Sequence, residues 1–469
     1  MKQGSGPLSR YRADIKDVLM VKDAATKKEI FGWAMFDFAN QAYTLLIITV
    51  IYGDLFTRII VADAANDYRL GNLLWSLALS GSYLLVVLTA PLLGAIIDFS
   101  ATRKQFLFAS YLLTVVATSL LYYVAPGYVF LGVVLLIISN YAYSIGESFI
   151  ASFLPDLGAP ENLGKISGFG WALGYVGGLI ATAIALLFLG EVSAENFPRI
   201  RWVGPFAGGF FLIAAIPTFL WLKDRGRPRR LRRRRDYLLF GYRRIRNSCR
   251  RLSQFRDLAI LFGSIFFAMC GIYIIIAFTF IYGAQVIGWS ETVRVWMFII
   301  VQVTATLGAL GFGFIQDRIG AKVTYAATLV LWIVTIVLIY LTPLLAHWAQ
   351  TLFAFTWQAQ VIFLVVGSCA GTCLGATQSA GRTLVGLFAP AGKAAEMFGF
   401  WGLVSKAAAI VGLLGIGLLQ LAFGLQAAIL FCALLFAVAL VIILAVDEAR
   451  GRLQALPGAN KKIDVVSRL

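Results

Sequence analysis

The chain has 469 residues, of which 60% are hydrophobic and only 13% charged; its formal net charge is +17 and it holds a single histidine, His347. Soluble domains carry roughly a quarter charged residues, so this balance excludes an ordinary soluble domain, and one histidine leaves almost no room for histidine-based acid–base or metal chemistry. Apolar runs of about 20 residues recur along the chain, long enough to cross a bilayer, so the fold class is an all-α polytopic membrane protein.

The first 29 residues are hydrophilic and show no signal-peptide pattern, so the first span is expected to act as its own insertion signal. Twelve spans follow, over 30–53, 73–97, 104–124, 129–151, 166–189, 202–222, 257–283, 293–315, 323–345, 357–380, 397–422 and 425–446. They divide into a six-helix half over 30–222 and a second over 257–446. Between them lies a basic linker, 223–256, and a tail follows over 447–469. The linker carries 15 Lys and Arg against two acids, Asp224 and Asp236, which places it in the cytoplasm by the positive-inside bias. Counting spans outward, both termini are cytoplasmic as well, and the expected location is a bacterial inner membrane. Leu238, Tyr242, Ile245, Cys249 and Leu252 recur at steps of four and three through this linker, with arginines on the other face. The pattern predicts an amphipathic helix on the inner leaflet, facing anionic headgroups, and not a nucleic-acid site. Its simplest role is a tether that fixes topology. His347 is expected in an external loop. Cys270, Cys369, Cys373 and Cys432 fall inside spans, where they read as packing residues; no metal site and no cofactor are expected.

Two patterns repeat between the halves. Gly94-Ala-Ile-Ile-Asp98, with Arg103 and Lys104 behind it, matches Gly313-Phe-Ile-Gln-Asp317, with Arg318 and Lys322 behind it. Each copy closes one span and leads through a short loop into the next. Lys165-Ile-Ser-Gly168 matches Glu396-Met-Phe-Gly399 at the start of the fifth span of each half. Matches in the same order indicate a duplication. A hinge aspartate at the end of a helix can accept hydrogen bonds from a neighbouring helix start and pair with loop cations. Such contacts would hold two halves together at one end and release when they rock.

The repeated hinge, the six-plus-six layout and the basic linker resemble the major facilitator superfamily. The second copy keeps that superfamily's cation and glycine after the aspartate, as Arg318 and Gly320. The first copy has Phe99 and Ala101 there, which predicts a weaker or differently wired lock. Gly32-Trp-Ala-Met-Phe-Asp37-Phe-Ala-Asn40-Gln-Ala-Tyr43, Phe153-Leu-Pro-Asp156, Ser167-Gly-Phe-Gly-Trp-Ala-Leu-Gly-Tyr175, Gln378-Ser-Ala-Gly-Arg382 and Ser405-Lys406 further resemble the vacuole-effluxer-like branch. The resemblance implies a transporter; fungal members are linked to amino-acid efflux from vacuoles. It also implies that the first and fourth helices of each half line a central cavity. The fifth and eighth spans would meet across the halves, which fits the runs Gly170, Gly174, Gly178 and Gly308, Gly311, Gly313.

Charges inside spans are costly and mark candidate functional positions. Asp37 lies about two turns into the first span, followed by Asn40, Gln41 and Tyr43. Asn140, Tyr143 and Glu147 form a polar stripe on the fourth, where Glu147 reads equally as a cavity carboxylate or as a gate paired with a loop cation. Lys406 lies roughly 15 Å into the eleventh and needs a carboxylate or an anionic ligand; Asp37 is one expected partner. Arg382 reads as an interfacial anchor at the inner end of the tenth. There is no nucleotide-binding Gly-x-x-x-x-Gly-Lys-Ser/Thr loop and no catalytic set, so an enzyme is not expected. The expected function is a monomeric secondary transporter for a small organic solute, amino-acid-like and zwitterionic or anionic, with protons as a coupling ion through Asp37 or Glu147. The competing readings are an amphiphile or lipid exporter of the same fold and a non-transporting receptor or scaffold.

Overall fold

The computed structural model describes residues 25–63, 68–190, 192–225, 234–250, 255–353 and 358–456. Among the described residues the chain is helical, with no strand. The first half contains α1 (Lys27–Ile60), α2 (Arg69–Ser100), α3 (Arg103–Leu120), α4 (Val129–Ala151), α5 (Leu163–Leu189) and α6 (Phe197–Trp221). The linker helix is α7 (Arg234–Arg250). The second half contains α8 (Arg256–Tyr282), α9 (Glu291–Ile319), α10 (Ala321–Phe353), α11 (Ala359–Phe388), α12 (Ala394–Gln420) and α13 (Leu430–Leu444), with α14 (Glu448–Ala455) behind them.

Among the described residues eleven helices are long and apolar enough to span a bilayer, and a bent pair makes twelve if it counts as one span. The bent pair revises the expected twelfth span. Gly424 takes φ +76°, open to glycine, and Ala422–Ala428 meets α13 at 65°. α1 also exceeds its predicted end at 53. It loosens into π turns at Thr44–Val50 and Phe56–Ile60 and continues to Ile60. His347 lies inside α10 and not in a loop, because that helix runs on to Phe353. Residues 1–24, 226–233, 251–254 and 457–469, including the expected apolar position Leu252, lie outside the described residues.

Ion pairs on buried carboxylates tie each half together at the end where the linker lies, and the two halves use matching positions. Arg225, just past α6, donates from both terminal nitrogens to Glu29 at 2.5 and 2.7 Å. Arg450, just past α13, donates to Asp257 at 2.6 and 2.8 Å. Glu29 and Asp257 open the first helix of their half and are almost fully buried. The starts of α3 and α10 are fixed in the same way. The Lys104 N–H donates to Asp224 and its ammonium to the Leu222 carbonyl at 2.7 Å. The Lys322 N–H donates to Glu448 and its ammonium to the Leu444 carbonyl at 3.0 Å. Arg103 pairs with Asp156 at 2.6 Å and Asp224 at 3.3 Å. These contacts correct one expectation. Arg103, Lys104 and Lys322 staple their own halves and do not bond the hinge aspartates, while Arg318 is exposed.

The aspartates themselves cross the seam. Asp98, near the end of α2, accepts the N–H groups of Ala395 and Glu396 at 3.0 and 2.8 Å. Asp317, near the end of α9, accepts those of Gly164 and Lys165 at 3.0 and 3.1 Å. Each carboxylate therefore satisfies two of the free N–H groups at a helix start, where the helix dipole also favours negative charge. Close backbone approach makes the contact possible. A Cβ on Gly94 would strike the Ala395 carbonyl, and one on Gly168 would strike the Ala309 carbonyl. The expected glycine zipper is only partly of this kind. Gly164, Gly168 and Gly313 meet across the seam, whereas Gly170 and Gly174 seat α1, Gly308 seats α11, and Gly311 faces open space.

Asp98→Asn and Asp317→Asn each replace one acceptor by a donor that faces an N–H group. Each is expected to lengthen the distance between nitroxide labels on the exposed residues Gln105 and Val323 at this end, and the double variant should lengthen it further. Electron-spin distance distributions of the purified protein check this.

Candidate functional site

A cavity of about 840 Å³ lies between the halves, walled by α1, α2, α4 and α5 on one side and α8 to α12 on the other. It runs from the middle of the molecule toward the end opposite the linker, where Asn72, Trp75, Phe280 and Ile281 line it. The hinge contacts close the linker end. The arrangement is therefore sealed on one side and hollow on the other.

Lys406 projects from α12 into this cavity, yet only 6% of the residue is exposed. Its ammonium lies 3.1 Å from Glu147 of α4 and 3.2 Å from the Tyr273 hydroxyl of α8. The rings of Tyr83, Tyr143 and Tyr273 surround it with centroids at 5.3, 5.9 and 5.6 Å, within the range of cation–π attraction. The polar chain continues on the first-half side. Thr44 donates to the Tyr143 hydroxyl at 2.7 Å, and Tyr143 donates to Glu147 at 3.0 Å. The α4 stripe expected from the sequence thus lies along the cavity wall at Asn140, Tyr143 and Glu147. Asn140 donates to Ser82 at 2.6 Å.

A second ion pair lies beside the first. Arg382 of α11 donates to Asp37 of α1 at 2.7 Å, and also to the Ser167 hydroxyl and carbonyl of α5 at 3.1 and 2.7 Å. Its guanidinium sits over the rings of Trp33 and Trp171 at 4.6 and 5.2 Å. The two pairs meet at a pocket of about 20 Å³ lined by Asp37, Asn40, Gln41, Glu147, Trp171, Arg382 and Trp401, room for about one water. Both pairs cross the seam, with the acid on the first half and the base on the second.

This geometry replaces three expectations. Lys406 pairs with Glu147 and not with Asp37, and Glu147 therefore does not pair with a loop cation. Arg382 is not an interfacial anchor. α11 continues to Phe388, eight residues past the predicted end of that span, and places Arg382 inside the protein. Tyr43 does not line the cavity; its hydroxyl bonds Ser139 at 2.9 Å and its ring stacks on Tyr143. Gln41 lines the cavity, and Asn40 the small pocket. Tyr83 and Gln302 also line the cavity and carry no signal in the sequence, since each is a single polar residue in an apolar span with no repeating pattern to mark it. Trp171 and Ser405, with Ser144, Ser148 and Tyr175, each carry a buried polar atom that has no hydrogen-bond partner. All five residues line the cavity. No group of three or more metal-ligating side chains occurs among the described residues.

Two helical halves around one polar-centred cavity, closed at one end by matched seam contacts, define a multi-pass membrane transporter of the major facilitator superfamily. The chain belongs to the vacuole effluxer Atg22-like family, whose model matches residues 74–456. A Bacillus subtilis (strain 168) relative named as an uncharacterized MFS-type transporter, YxiO, is 23% identical over 90% of this chain and 95% of its own. Autophagy-related protein 22-1 of Penicillium rubens is 23% identical over 62% of this chain, which spans about half the length of that fungal relative. Among solved structures, the proton:xylose symporter XylE bound to 6-bromo-6-deoxy-D-glucose aligns with a TM-score of 0.69 at 14% identity, covering 91% of this chain and 96% of its own. The human organic anion transporter MFSD10 aligns with a TM-score of 0.67 at 15% identity, covering 89% of this chain and 99% of its own. The names of YxiO, XylE and MFSD10 are those of transporters.

Removing one partner of a buried ion pair leaves an uncompensated charge, at a cost of about 3–5 kcal/mol. Arg382→Met should lower the unfolding temperature of the detergent-purified protein sharply. Asp37→Asn combined with Arg382→Met should recover a large part of that loss.

Proposed function

We propose that the protein carries a small zwitterionic, amino-acid-like solute across the membrane by alternating access of the cavity to either side. The Glu147–Lys406 pair carries this reading, because it joins the two halves and faces the cavity. A solute with a carboxylate and an ammonium group can replace both partners at once, its acid meeting Lys406 and its base meeting Glu147. Neither buried charge is then left bare, and the solute itself bridges the halves. The unpartnered atoms of Ser144, Ser148, Trp171, Tyr175 and Ser405 supply further hydrogen bonds, which buried polar groups require. Ile272, Ile276, Phe298 and Leu413 in the cavity wall favour a solute with an apolar side chain.

Outward transport from the linker side accords with the effluxer name of the family. The charge of the linker supports a cytoplasmic location for it and for both termini, in a bacterial inner membrane, with anionic headgroups against the basic helix. The protein works as a monomer. Asp37 and Glu147, both beside the small pocket, are the carboxylates through which a proton gradient would drive transport. The apolar upper walls support a second reading, export of an amphiphile whose charged head reaches Lys406.

Counterflow in proteoliposomes with a panel of neutral amino acids tests the proposal. Lys406→Ala and Glu147→Gln are each expected to lose about tenfold or more of the specific flux, the scale of a lost hydrogen bond to a charged group. Undiminished flux in Lys406→Ala would overturn the assignment. Competition by amphiphiles but by no amino acid would favour the second reading. Flux that ignores an imposed pH gradient would remove proton coupling.

A further inference from the structure

The two seam locks are built on the same backbone contacts but carry opposite charges at one matched position. In the lock at Asp317, Lys165 follows Gly164 at the start of α5, and its ammonium lies 3.8 Å from the Asp317 carboxylate. The internal repeat places Glu396 of α12 where Lys165 stands in α5. The lock at Asp98 therefore brings a second carboxylate to the aspartate where its twin brings a cation. Glu396 is also fully buried. In addition, Phe99 occupies the position after the aspartate that Arg318 fills in the other copy. Two carboxylates brought to one buried lock are unfavourable unless a cation lies between them.

The linker helix offsets this. Arg244 of α7 lies 3.6 Å from Asp98 on the first half and donates from Nε to Glu396 on the second half at 2.6 Å. It also donates to the Gly392 carbonyl at 2.9 Å, just before α12. One turn earlier, Phe240 packs against Phe99 with ring centroids 4.1 Å apart, and Tyr237 meets the same ring edge-on at 6.3 Å. Gly241 lets the helix settle on Leu92 and Ile96 of α2. The opposite face, including Leu239, Tyr242, Arg243 and Arg246, is exposed.

We infer that Arg244 is the cation of the first lock, and that α7 is a clasp which must leave Glu396 whenever the linker end opens. Phe99 is then not a defect in the repeat. It is the seat for the helix that delivers the missing charge. Opening separates Asp98 from the start of α12, so a guanidinium bound to both carboxylates has to give up one of them. Arg244 is a positioning residue for the conformational cycle, and touches no part of the cavity. The inference rests on the rocking of the two halves and is independent of the solute.

The test uses the full-length protein in lipid nanodiscs without added solute, with nitroxide labels on Gln105 and Val323. Arg244→Gln should raise the population of the long, linker-end-open distance about tenfold, within the range of coupling measured for contacting residues. Arg243→Gln removes the same charge from the exposed neighbour and should leave the distribution unchanged. Glu396→Gln added to Arg244→Gln should restore a large part of the closed population, since the repulsion is then gone. Equal distributions for Arg244→Gln and Arg243→Gln would overturn the inference, as would a double variant no more closed than Arg244→Gln alone. If Arg244→Gln cannot be recovered folded, Phe240→Ala must produce the same opening, because it unseats the helix that carries Arg244 while keeping every charged side chain. An unchanged distribution in Phe240→Ala would then overturn the inference.

Discussion

A carboxylate removed from water needs donors or a cation within reach, and the way this chain meets that need sorts its contacts into two kinds. Glu29 with Arg225 and Asp257 with Arg450 lie within single halves. They travel with their half as rigid fittings. Asp98, Asp317, Asp37 and Glu147 find their donors across the seam. Those partners change whenever the halves move relative to one another. Burial makes both kinds obligatory, so the same physics that holds each half rigid makes the seam exchange partners in discrete steps.

Much of this architecture is legible in the residues alone, because the signals that carry it are long or repeated. Apolar runs mark the spans, and the two copies of Gly-x-x-x-Asp mark where α2 and α9 end against a neighbour. Isolated charges in spans mark Asp37, Glu147 and Lys406 as residues in need of partners. What the sequence does not encode locally is which partner each receives. For Lys406 the residues alone suggest Asp37 or an anionic ligand, and only the packing of α12 against α4 brings Glu147 to it instead. Arg382 was concealed by a boundary. The stretch after residue 380 is less apolar because it faces protein and not lipid, and hydropathy ends the span too soon. The kink at Gly424 and the π turns of α1 are likewise set by packing, since neither leaves a periodic trace.

Duplication explains both the symmetry and its exceptions. The hinge contacts repeat closely, down to the lysine after each hinge whose ammonium bonds a carbonyl at the end of α6 or α13. The charged side chains have diverged. The middle of the first half keeps acids and that of the second keeps bases, so the halves attract through the core of the membrane. At the linker end the same divergence set Glu396 against Asp98, and a segment outside the repeat took up the conflict. The linker helix lies outside the repeat, and it contacts the lock that departs from the pattern.

The polarity of the central pairs has an electrical consequence. Asp37 and Glu147 contribute two negative charges, and Arg382 and Lys406 two positive ones. Carrying a single unmatched charge through the field of a membrane costs about 2.3 kcal/mol per 100 mV. With these four groups in balance, reorientation of the empty protein is insensitive to the membrane potential as far as they are concerned. A zwitterion seated between Glu147 and Lys406 preserves that balance, whereas a bound anion or an added proton breaks it. The voltage dependence of transport therefore reads out the charge of whatever the cavity holds.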